Sequence, residues 1–329
     1  NRFMSQEVEL KLLIAPEQRE KALEVCQSLA DANQAKPNKE QFELTNAYFD
    51  TSDLRLRQFD IGLRIRSYKD HKEQTIKLAG RVMGGMHQRP EYNVNVDKDK
   101  PDLTLFDNEI WPDDFPVYDI KRDLDTLFVT DFMRTQWRLP SGEGVIEMVF
   151  DDGYIESGEQ REPIAEIELE VQKGSLTEAY RLANELVKKA GARVGSLSKA
   201  ARGYLLAGKS LLEPFTQMHY VPLKSEYNVG QALYRSLESG LRHWQHNEAC
   251  LEFQPSVRAV QGMADGIQMV QVVLEQLIEN GIGERRLLTN ISQIMSKLQW
   301  LKRFEGLDEL TAEDGAYHRA LKRYNKLYE

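Results

Sequence analysis

Charged and apolar side chains alternate along several short segments of this chain. In Glu7–Leu12 every second side chain is charged, and the residues between them are apolar. Residues two apart in a β-strand lie on the same face of the sheet, so the alternation predicts strands with one charged and one apolar face. The pattern recurs in six further segments: 63–66, 75–78, 91–96, 132–138, 146–151 and 166–171.

The charged faces combine carboxylates with arginine and lysine. Segment 166–171 carries three glutamates on one face, which repel one another unless cations lie between them, while 63–66 and 75–78 supply two arginines and a lysine. Carboxylates bind hard divalent cations through oxygen, and arginine holds phosphate oxygens in a bidentate fork. One face with both sets would suit a metal-bound phosphate chain. The alternation alone does not separate the lumen of a barrel from the wet face of an amphipathic sheet.

A change of pattern along the chain predicts two domains. The alternating segments end near residue 209 and helical periodicity begins near 222, and the stretch between them contains Pro214. We therefore predict domains at 1–209 and 222–329, joined by a linker at 210–221. Helices are predicted at 17–32, 176–190 and 198–207 in the first domain, and at 226–251, 256–280, 284–304 and 307–328 in the second, where short connections indicate an antiparallel bundle.

The composition excludes some classes of function. The 329-residue chain has a formal net charge of −9, which argues against a general nucleic-acid binder. No apolar stretch reaches the roughly 18 residues of a membrane-spanning helix, and the first residues lack the pattern of a secretory signal. Cys26 and Cys250 lie far apart without metal-ligand spacing. We predict a cytoplasmic protein that binds neither nucleic acid nor membrane.

The order of these segments resembles the CYTH superfamily, the triphosphate tunnel metalloenzymes. Glu7–Lys11 is similar to its ExExK signature. The resemblance continues in order through 62–66, 75–77, 84–93, 131–134, 166–170 and 195–199, and it covers nearly all of residues 5–208. It is most specific at 80–93 and 196–199, which look like bacterial inorganic triphosphatases that carry a helical CHAD domain behind the CYTH domain.

The resemblance implies an α+β fold and a set of site residues. The fold would be a closed antiparallel eight-stranded β-barrel with flanking helices and an inward polar face, followed by an all-α bundle. The implied ligands of one or two Mg²⁺ or Mn²⁺ ions are Glu7, Glu9, Glu166 and Glu168, with Glu170 on the same face and Glu147 and Asp151 in support. The implied triphosphate-binding residues are Lys11, Arg64, Arg66, Lys77, Arg134 and Lys199, with Glu91 supporting metal, water or basic partners.

Three of these residues are assigned to catalysis: Lys11, Glu168 and Arg134. We expect the Glu166 and Glu168 side of the barrel to activate the attacking water. Lys77 and Arg134 would steady either the departing pyrophosphate or the γ-phosphate.

The expected function is hydrolysis of inorganic tripolyphosphate, or another small triphosphate, to pyrophosphate and phosphate. Thiamine triphosphatase and class IV adenylate cyclase share the charged tunnel and stay open as alternatives, although no adenine-binding group is visible. A non-catalytic polyphosphate-binding module is the alternative outside enzymes, and a structural interaction protein is the last.

Several conspicuous residues are expected to lie outside the site. His87 is predicted in a loop. Arg89 is predicted on the surface, with a substrate contact at a tunnel mouth as the alternative, and the pair His243 and His246 is predicted not to bind metal. The stretch 255–270, which corresponds to the inner helices of a CHAD domain, holds Arg258 as its one basic residue and no histidine. We therefore expect the helical region to be a partial CHAD domain with a structural role, with docking or dimerisation as the alternative.

Overall fold

The computed structural model describes residues 3–298, except 34–37, 114, 142–143, 216 and 219. The chain divides into two compact units, Asn1–Leu211 and Leu212–Glu329. The first unit contains all the described strands, and the second is helical. The division falls within the segment predicted as a linker, whose exact bounds stay a prediction.

The first unit is built from ten strands in its described part. They are β1 (Phe3–Leu13), β2 (Asn38–Asp50), β3 (Gly62–Tyr68), β4 (His71–Lys77), β5 (Arg81–Met83), β6 (Met86–Asn95), β7 (Asp125–Ser141), β8 (Gly144–Ser157), β9 (Gln160–Lys173) and β10 (Arg193–Val194). Eight of them pair antiparallel in the order β1-β9-β8-β7-β2-β3-β4-β6, and β6 pairs back onto β1. The short β5 and β10 extend β6 and β1. The predicted closed eight-stranded barrel is therefore confirmed.

The described helices of the chain flank the barrel or follow it. They are α1 (Arg19–Asn33), α2 (Arg55–Gln58), α3 (Val117–Arg122), α4 (Leu176–Ala190), α5 (Lys199–Leu206), α6 (Val229–Phe253), α7 (Val257–Glu279) and α8 (Arg285–Leu298). The predictions at 17–32, 176–190 and 198–207 correspond to α1, α4 and α5. Gly191 ends α4 in the left-handed region at φ 64°, and the Ser198 side chain caps α5.

The main hydrophobic core of the first unit lies outside the barrel. Leu10 and Leu12 of β1 point away from the lumen and pack with buried residues of α1 and α4, among them Cys26 and Leu182. A second cluster covers β3 and β4 with residues of segment 103–120. Because the apolar faces are covered on the outside, the charged faces of the same strands must point inward.

One end of the barrel interior is apolar and is covered by α5. Phe128, Ile155 and Ile164 lie on inward faces and pack with Tyr204 of α5. Gly203 lies against the Phe128 ring, where an added Cβ would come within 2.1 Å of the ring. This packing fixes the start of α5, and therefore Lys199, at the lumen.

The second unit has its own core. The α6 helix begins with a capping box between Asn228 and Gln231, and Cys250, Met263 and Ile267 are buried between the helices. The α6 and α7 helices match the predictions at 226–251 and 256–280. The prediction at 284–304 is met by α8 as far as Leu298, and the helix predicted at 307–328 lies outside the described residues. None of the helices described combines the length and apolar character that a membrane crossing requires.

Candidate functional site

The inward faces of the strands enclose a charged cavity of about 180 Å³. Its lining includes Glu7, Glu9, Lys11, Arg64, Arg66, Lys77, Glu91, Arg134, Glu147, Glu168, Glu170 and Lys199. The barrel thus brings together residues from seven strands and one helix that are up to 192 positions apart (7 to 199). Asp151 and Glu166 are fully buried and do not line the cavity.

Two lysines neutralise the deep acidic cluster of the barrel. Lys11 Nζ lies 2.8 Å from Glu166 Oε1 and also donates to Glu168. Lys199 Nζ lies 2.7 Å from Asp151 Oδ2 and 2.9 Å from Glu168 Oε1, and it also donates to Glu166. Carboxylate oxygens of Asp151, Glu166 and Glu168 lie within 4.8 Å of one another. Two ammonium groups balance most of the negative charge that this closeness concentrates.

A bidentate ion pair fixes Arg134 at the same cluster. Its Nε and Nη2 each lie 2.8 Å from an Asp151 oxygen, and Nη2 lies 3.2 Å from Glu168 Oε2. Burial raises the pKa of a carboxyl, but here the neighbouring cations outweigh it. Arg134 and Lys199 hold the pKa of Asp151 below its usual range, and Lys11 and Lys199 hold that of Glu168 well below.

Lys77 joins a second pair of carboxylates. Its Nζ lies 2.5 Å from Glu7 Oε2 and 3.0 Å from Glu91 Oε2. Asn93 donates to Glu91 at 2.9 Å. Burial opposes ionisation of Glu91, but Lys77 and Arg64 prevail and lower its pKa to about 2. Glu91 is therefore charged at any physiological pH.

Three arginines of the cavity have no carboxylate partner within salt-bridge distance in the described part of the chain: Arg64, Arg66 and Arg89. The Nε atoms of Arg64 and Arg89 are buried without a hydrogen-bond acceptor, and Arg66 Nε donates to the neutral Asn46 at 2.8 Å. Burial, followed by repulsion from Arg64 and Arg134, lowers the pKa of Arg66 to about 10. Partly buried guanidinium groups outside salt-bridge distance of a carboxylate leave N–H donors for an anion among them.

Carboxylates also crowd one another in the same cavity. Burial, and then repulsion from Glu7 and Glu147, raises the pKa of Glu170 to about 8. Burial, and then repulsion from Glu168, raises that of Glu9 to about 7. These carboxylate oxygens are hard ligands, and they resist ionisation because too little positive charge lies near them. They fit a Mg²⁺ or Mn²⁺ ion by donor type and by charge.

The structure corrects two predictions about β6. His87 is in the strand, not in a loop, and it is buried at the cavity with 3% of its surface exposed. Arg89 also lines the cavity and is not a surface arginine. The alternation in 91–96 continues back through 89 and 87, but Pro90 suggested that the strand had not begun. A proline is tolerated here because the neighbouring strand β4 ends at Lys77, so no ladder hydrogen bond from residue 90 to β4 is lost. The Pro90 carbonyl oxygen still accepts a hydrogen bond from Leu78 N at 3.1 Å.

Sequence analysis also missed the contribution of β2. Asn46 and Tyr48 line the cavity, and no charged alternation marks their strand. In the helical unit, His246 Nε2 lies 2.7 Å from the Glu213 carbonyl oxygen, and the His246 ring stacks on Phe215 at 3.6 Å. The Phe215 ring also lies 5.7 Å from the His243 ring, and the absence of a metal at this pair stays a prediction.

The structure is thus a closed antiparallel barrel whose lumen holds arginine and lysine side chains together with crowded carboxylates. The chain belongs to the CYTH domain family, whose model matches residues 5–204. It is 35% identical over 212 residues to the inorganic triphosphatase of Haemophilus influenzae, covering 64% of this chain. The chain spans 57% of the length of that relative.

Solved structures with similarity to this chain include HpAC1 from Hippeastrum, described as having a dominant triphosphatase activity. It is 21% identical, with a TM-score of 0.45, covering 62% of this chain and 97% of that one. The inorganic triphosphatase NE1496 is 18% identical, with a TM-score of 0.22, covering 53% of this chain and 79% of that one.

Proposed function

We propose that this protein is a metal-dependent triphosphatase that hydrolyses inorganic tripolyphosphate to pyrophosphate and phosphate inside the barrel. The observation that carries the proposal is one cavity that holds both three arginines outside salt-bridge distance of any described carboxylate and two glutamates with raised pKa values. A polyanion would supply the negative charge that the arginines lack, and a divalent cation would supply the positive charge that the carboxylates lack. Membership of the CYTH family and the 35% identity to an inorganic triphosphatase support the same substrate class.

Five of the six cavity-lining glutamates are the proposed holders of Mg²⁺ or Mn²⁺: Glu7, Glu9, Glu147, Glu168 and Glu170. Asp151 and Glu166, also predicted as ligands, stay proposed ligands together with Glu168, because oxygens of the three lie within 4.8 Å of one another. Both also pair with the neighbouring lysines and Arg134. The metal, when bound, would supply Lewis-acid polarisation of phosphoryl oxygens and neutralise part of the substrate charge.

The basic residues would bind and orient the triphosphate. Hydrolysis breaks one P–O–P bond, forms a bond from water oxygen to the attacked phosphorus and releases a proton, so the protein contributes mainly position and charge. Arg64 and Arg66, with Arg89 added by the structure, would hold non-bridging oxygens. Arg134 and Lys77, already oriented by carboxylates, would stabilise charge on the leaving or transferred group. Lys11 and Lys199 would do so at the deep end, beside Glu168.

Related enzyme activities stay as alternatives at the same site. Thiamine triphosphatase and class IV adenylate cyclase would use the same cations, and a polyphosphate-binding module would use them without turnover. The carboxylates favour an enzyme over a pure binding module, because anion binding alone gains nothing from burying unpaired acids.

For residues 222–329 we propose a structural bundle of partial CHAD type, with docking or dimerisation as the alternative. The low density of basic residues on the described inner helices supports a structural role. We also propose a cytoplasmic location and no nucleic-acid partner, in keeping with the net charge of −9.

The decisive experiment measures phosphate release from tripolyphosphate, ATP and thiamine triphosphate in parallel, with Mg²⁺, with Mn²⁺ and with chelator. We expect strong metal-dependent release from tripolyphosphate and much weaker release from the other two. Preference for thiamine triphosphate or formation of cyclic AMP from ATP would select an alternative enzyme. No release by a folded protein that still binds tripolyphosphate would select the binding module.

A further inference from the structure

His87 forms a buried link between the barrel wall and the loop before α5. Its Nε2 lies 3.1 Å from the carbonyl oxygen of Gly195. This loop, residues 195–198, connects β10 to α5, and α5 begins with Lys199. His87 therefore contacts the segment that delivers a lysine to the deep acidic cluster.

The chemistry of this contact fixes the state of the ring. A carbonyl oxygen only accepts hydrogen bonds, so Nε2 must carry the proton and donate it. Burial, and then the positive charge of Lys11, lowers the pKa of His87 to about 3, so the ring is neutral and Nδ1 is left as an acceptor. The contact with the Gly195 carbonyl oxygen therefore occupies the Nε2–H donor of the ring.

The same loop is also bound to β1. Gly195 N donates to the Lys11 carbonyl oxygen at 2.9 Å, and Lys11 N donates to the Gly85 carbonyl oxygen at 2.8 Å. A Cβ on Gly195 would lie 3.0 Å from Lys11 Cγ. His87 lies two residues after the turn at Gly85. The contacts of His87 and β1 with Gly195 thus hold this loop against the aliphatic part of the Lys11 side chain.

We propose that His87 is a positioning residue that holds the 195–198 loop, and through it Lys199, in register with Lys11 at the acidic cluster. Both ammonium groups reach Glu166 and Glu168 from different elements, so a shift of the loop would separate them. The catalytic part of this proposal rests on the proposed triphosphatase function, whereas the structural part concerns only the loop.

A matched pair of substitutions tests the role. The amide nitrogen of glutamine can take the place of Nε2, whereas that of asparagine corresponds to Nδ1 and falls short of Gly195. We expect H87N to lower kcat for tripolyphosphate about 10- to 100-fold, as misplaced catalytic groups do, and H87Q to restore most of it. The exposed His71, changed to asparagine, controls for loss of a histidine. In a K199Q background, H87N should add little further loss.

Hydrogen–deuterium exchange of the peptide that contains residues 195–199 provides a readout independent of turnover. We expect faster exchange there in H87N and wild-type exchange in H87Q, with melting temperatures showing that both are folded. Unchanged exchange in folded H87N would overturn the proposal whatever the substrate is. Loss of activity in H87Q equal to that in H87N would also overturn it, in favour of direct proton transfer by the ring. Absence of turnover in the wild type would reject the triphosphatase function alone.

Discussion

Arg64, Arg66 and Arg89 differ from the other cations of the cavity in having no carboxylate partner in the described part of the chain. Lys77 and Arg134 already form ion pairs with carboxylates, which neutralise part of their charge before a ligand binds. The unpaired arginines lose less on ligand binding, because no ion pair has to be broken. We therefore expect them to contribute most to ground-state affinity.

Substitution of Arg89 tests this at a residue that sequence analysis placed on the surface. Arg89→Met removes a charge-assisted contact that is typically worth about 1.5–3 kcal/mol. We expect the KM for tripolyphosphate to rise roughly 10- to 100-fold, with a smaller change in kcat. Steady-state kinetics at fixed Mg²⁺ measure it, with Arg181→Met as the control, because Arg181 is exposed on α4 and pairs with Glu178. An unchanged KM would place Arg89 outside the substrate site.

The raised pKa values of Glu9 and Glu170 predict a pH-dependent response to metal. Between about pH 4.5 and about pH 8, the native protein binds more protons than the unfolded chain. The free energy of unfolding that these two groups contribute therefore falls as pH rises through this range, and it falls no further above about pH 8. A divalent cation needs the ionised carboxyls and offsets their repulsion. The stabilisation by Mg²⁺ over chelator should therefore grow between about pH 6.5 and about pH 8.5.

Differential scanning fluorimetry measures this prediction directly. We expect the gap in melting temperature between Mg²⁺ and chelator to widen by several degrees across that range in the wild type. Glu170→Gln, which keeps the shape but cannot ionise, should show a smaller widening. A gap that is the same at both pH values would show that these carboxyls do not hold the metal.

Much of the site could be predicted from the sequence because its residues repeat at a spacing of two. Glu7, Glu9 and Lys11 could be placed on one face from the prediction of a single strand. His87 and Arg89 were missed because Pro90 interrupts the same pattern. The pairing of Lys199 with Glu166 joins two elements that are distant in the chain, and no local pattern reports such a contact.

At the level of elements, α5 combines two tasks. Its Tyr204 and Gly203 pack on the apolar end of the barrel interior, while Lys199 at its first turn reaches the charged part. Packing at one end of the helix therefore sets the position of a charge at the other.

Enlarging Gly203 tests this coupling. A Cβ there would come within 2.1 Å of the Phe128 ring, and overpacking of this kind typically costs about 1–3 kcal/mol. We expect Gly203→Ala to lower the melting temperature and also kcat at a temperature where the protein is still folded. Gly62→Ala is the control for stability, since its Cβ would meet only the Lys77 carbonyl oxygen at 3.9 Å. Equal melting temperatures of the two variants would contradict the packing argument.

The β2 strand shows where prediction of the elements reached its limit. Its inward residues include Leu44 and Tyr48, which belong to the apolar end of the barrel, so both faces of the strand are partly apolar and no charged alternation appears. The closure of β6 onto β1 is likewise a long-range pairing. It was expected from the resemblance to a family, not from the pattern of any segment.

The whole molecule consists of two units with separate hydrophobic cores. No member of the barrel clusters in the described residues belongs to the helical unit, and the reverse also holds. Within the described residues, each hydrophobic cluster is therefore formed by one unit.

A fragment of residues 1–211 should consequently fold and keep the activity of the barrel. We expect a cooperative melt within a few degrees of one transition of the full chain, and a kcat for tripolyphosphate within about 3-fold of the intact protein. Calorimetry and phosphate release measure the two outcomes. A fragment that binds tripolyphosphate but has lost turnover would show that the helical unit takes part in catalysis.

The barrel has its main hydrophobic core outside and the charged cavity, with one apolar end, inside, so the two faces of a strand have different roles. In β1, Leu10 and Leu12 hold the helices while Glu9 and Lys11 face the lumen. In this strand, the even-numbered residues thus stabilise the fold and the odd-numbered residues form the site. Such a scaffold can exchange its inner set during evolution with little repacking, so new reactions can arise in it without a new fold.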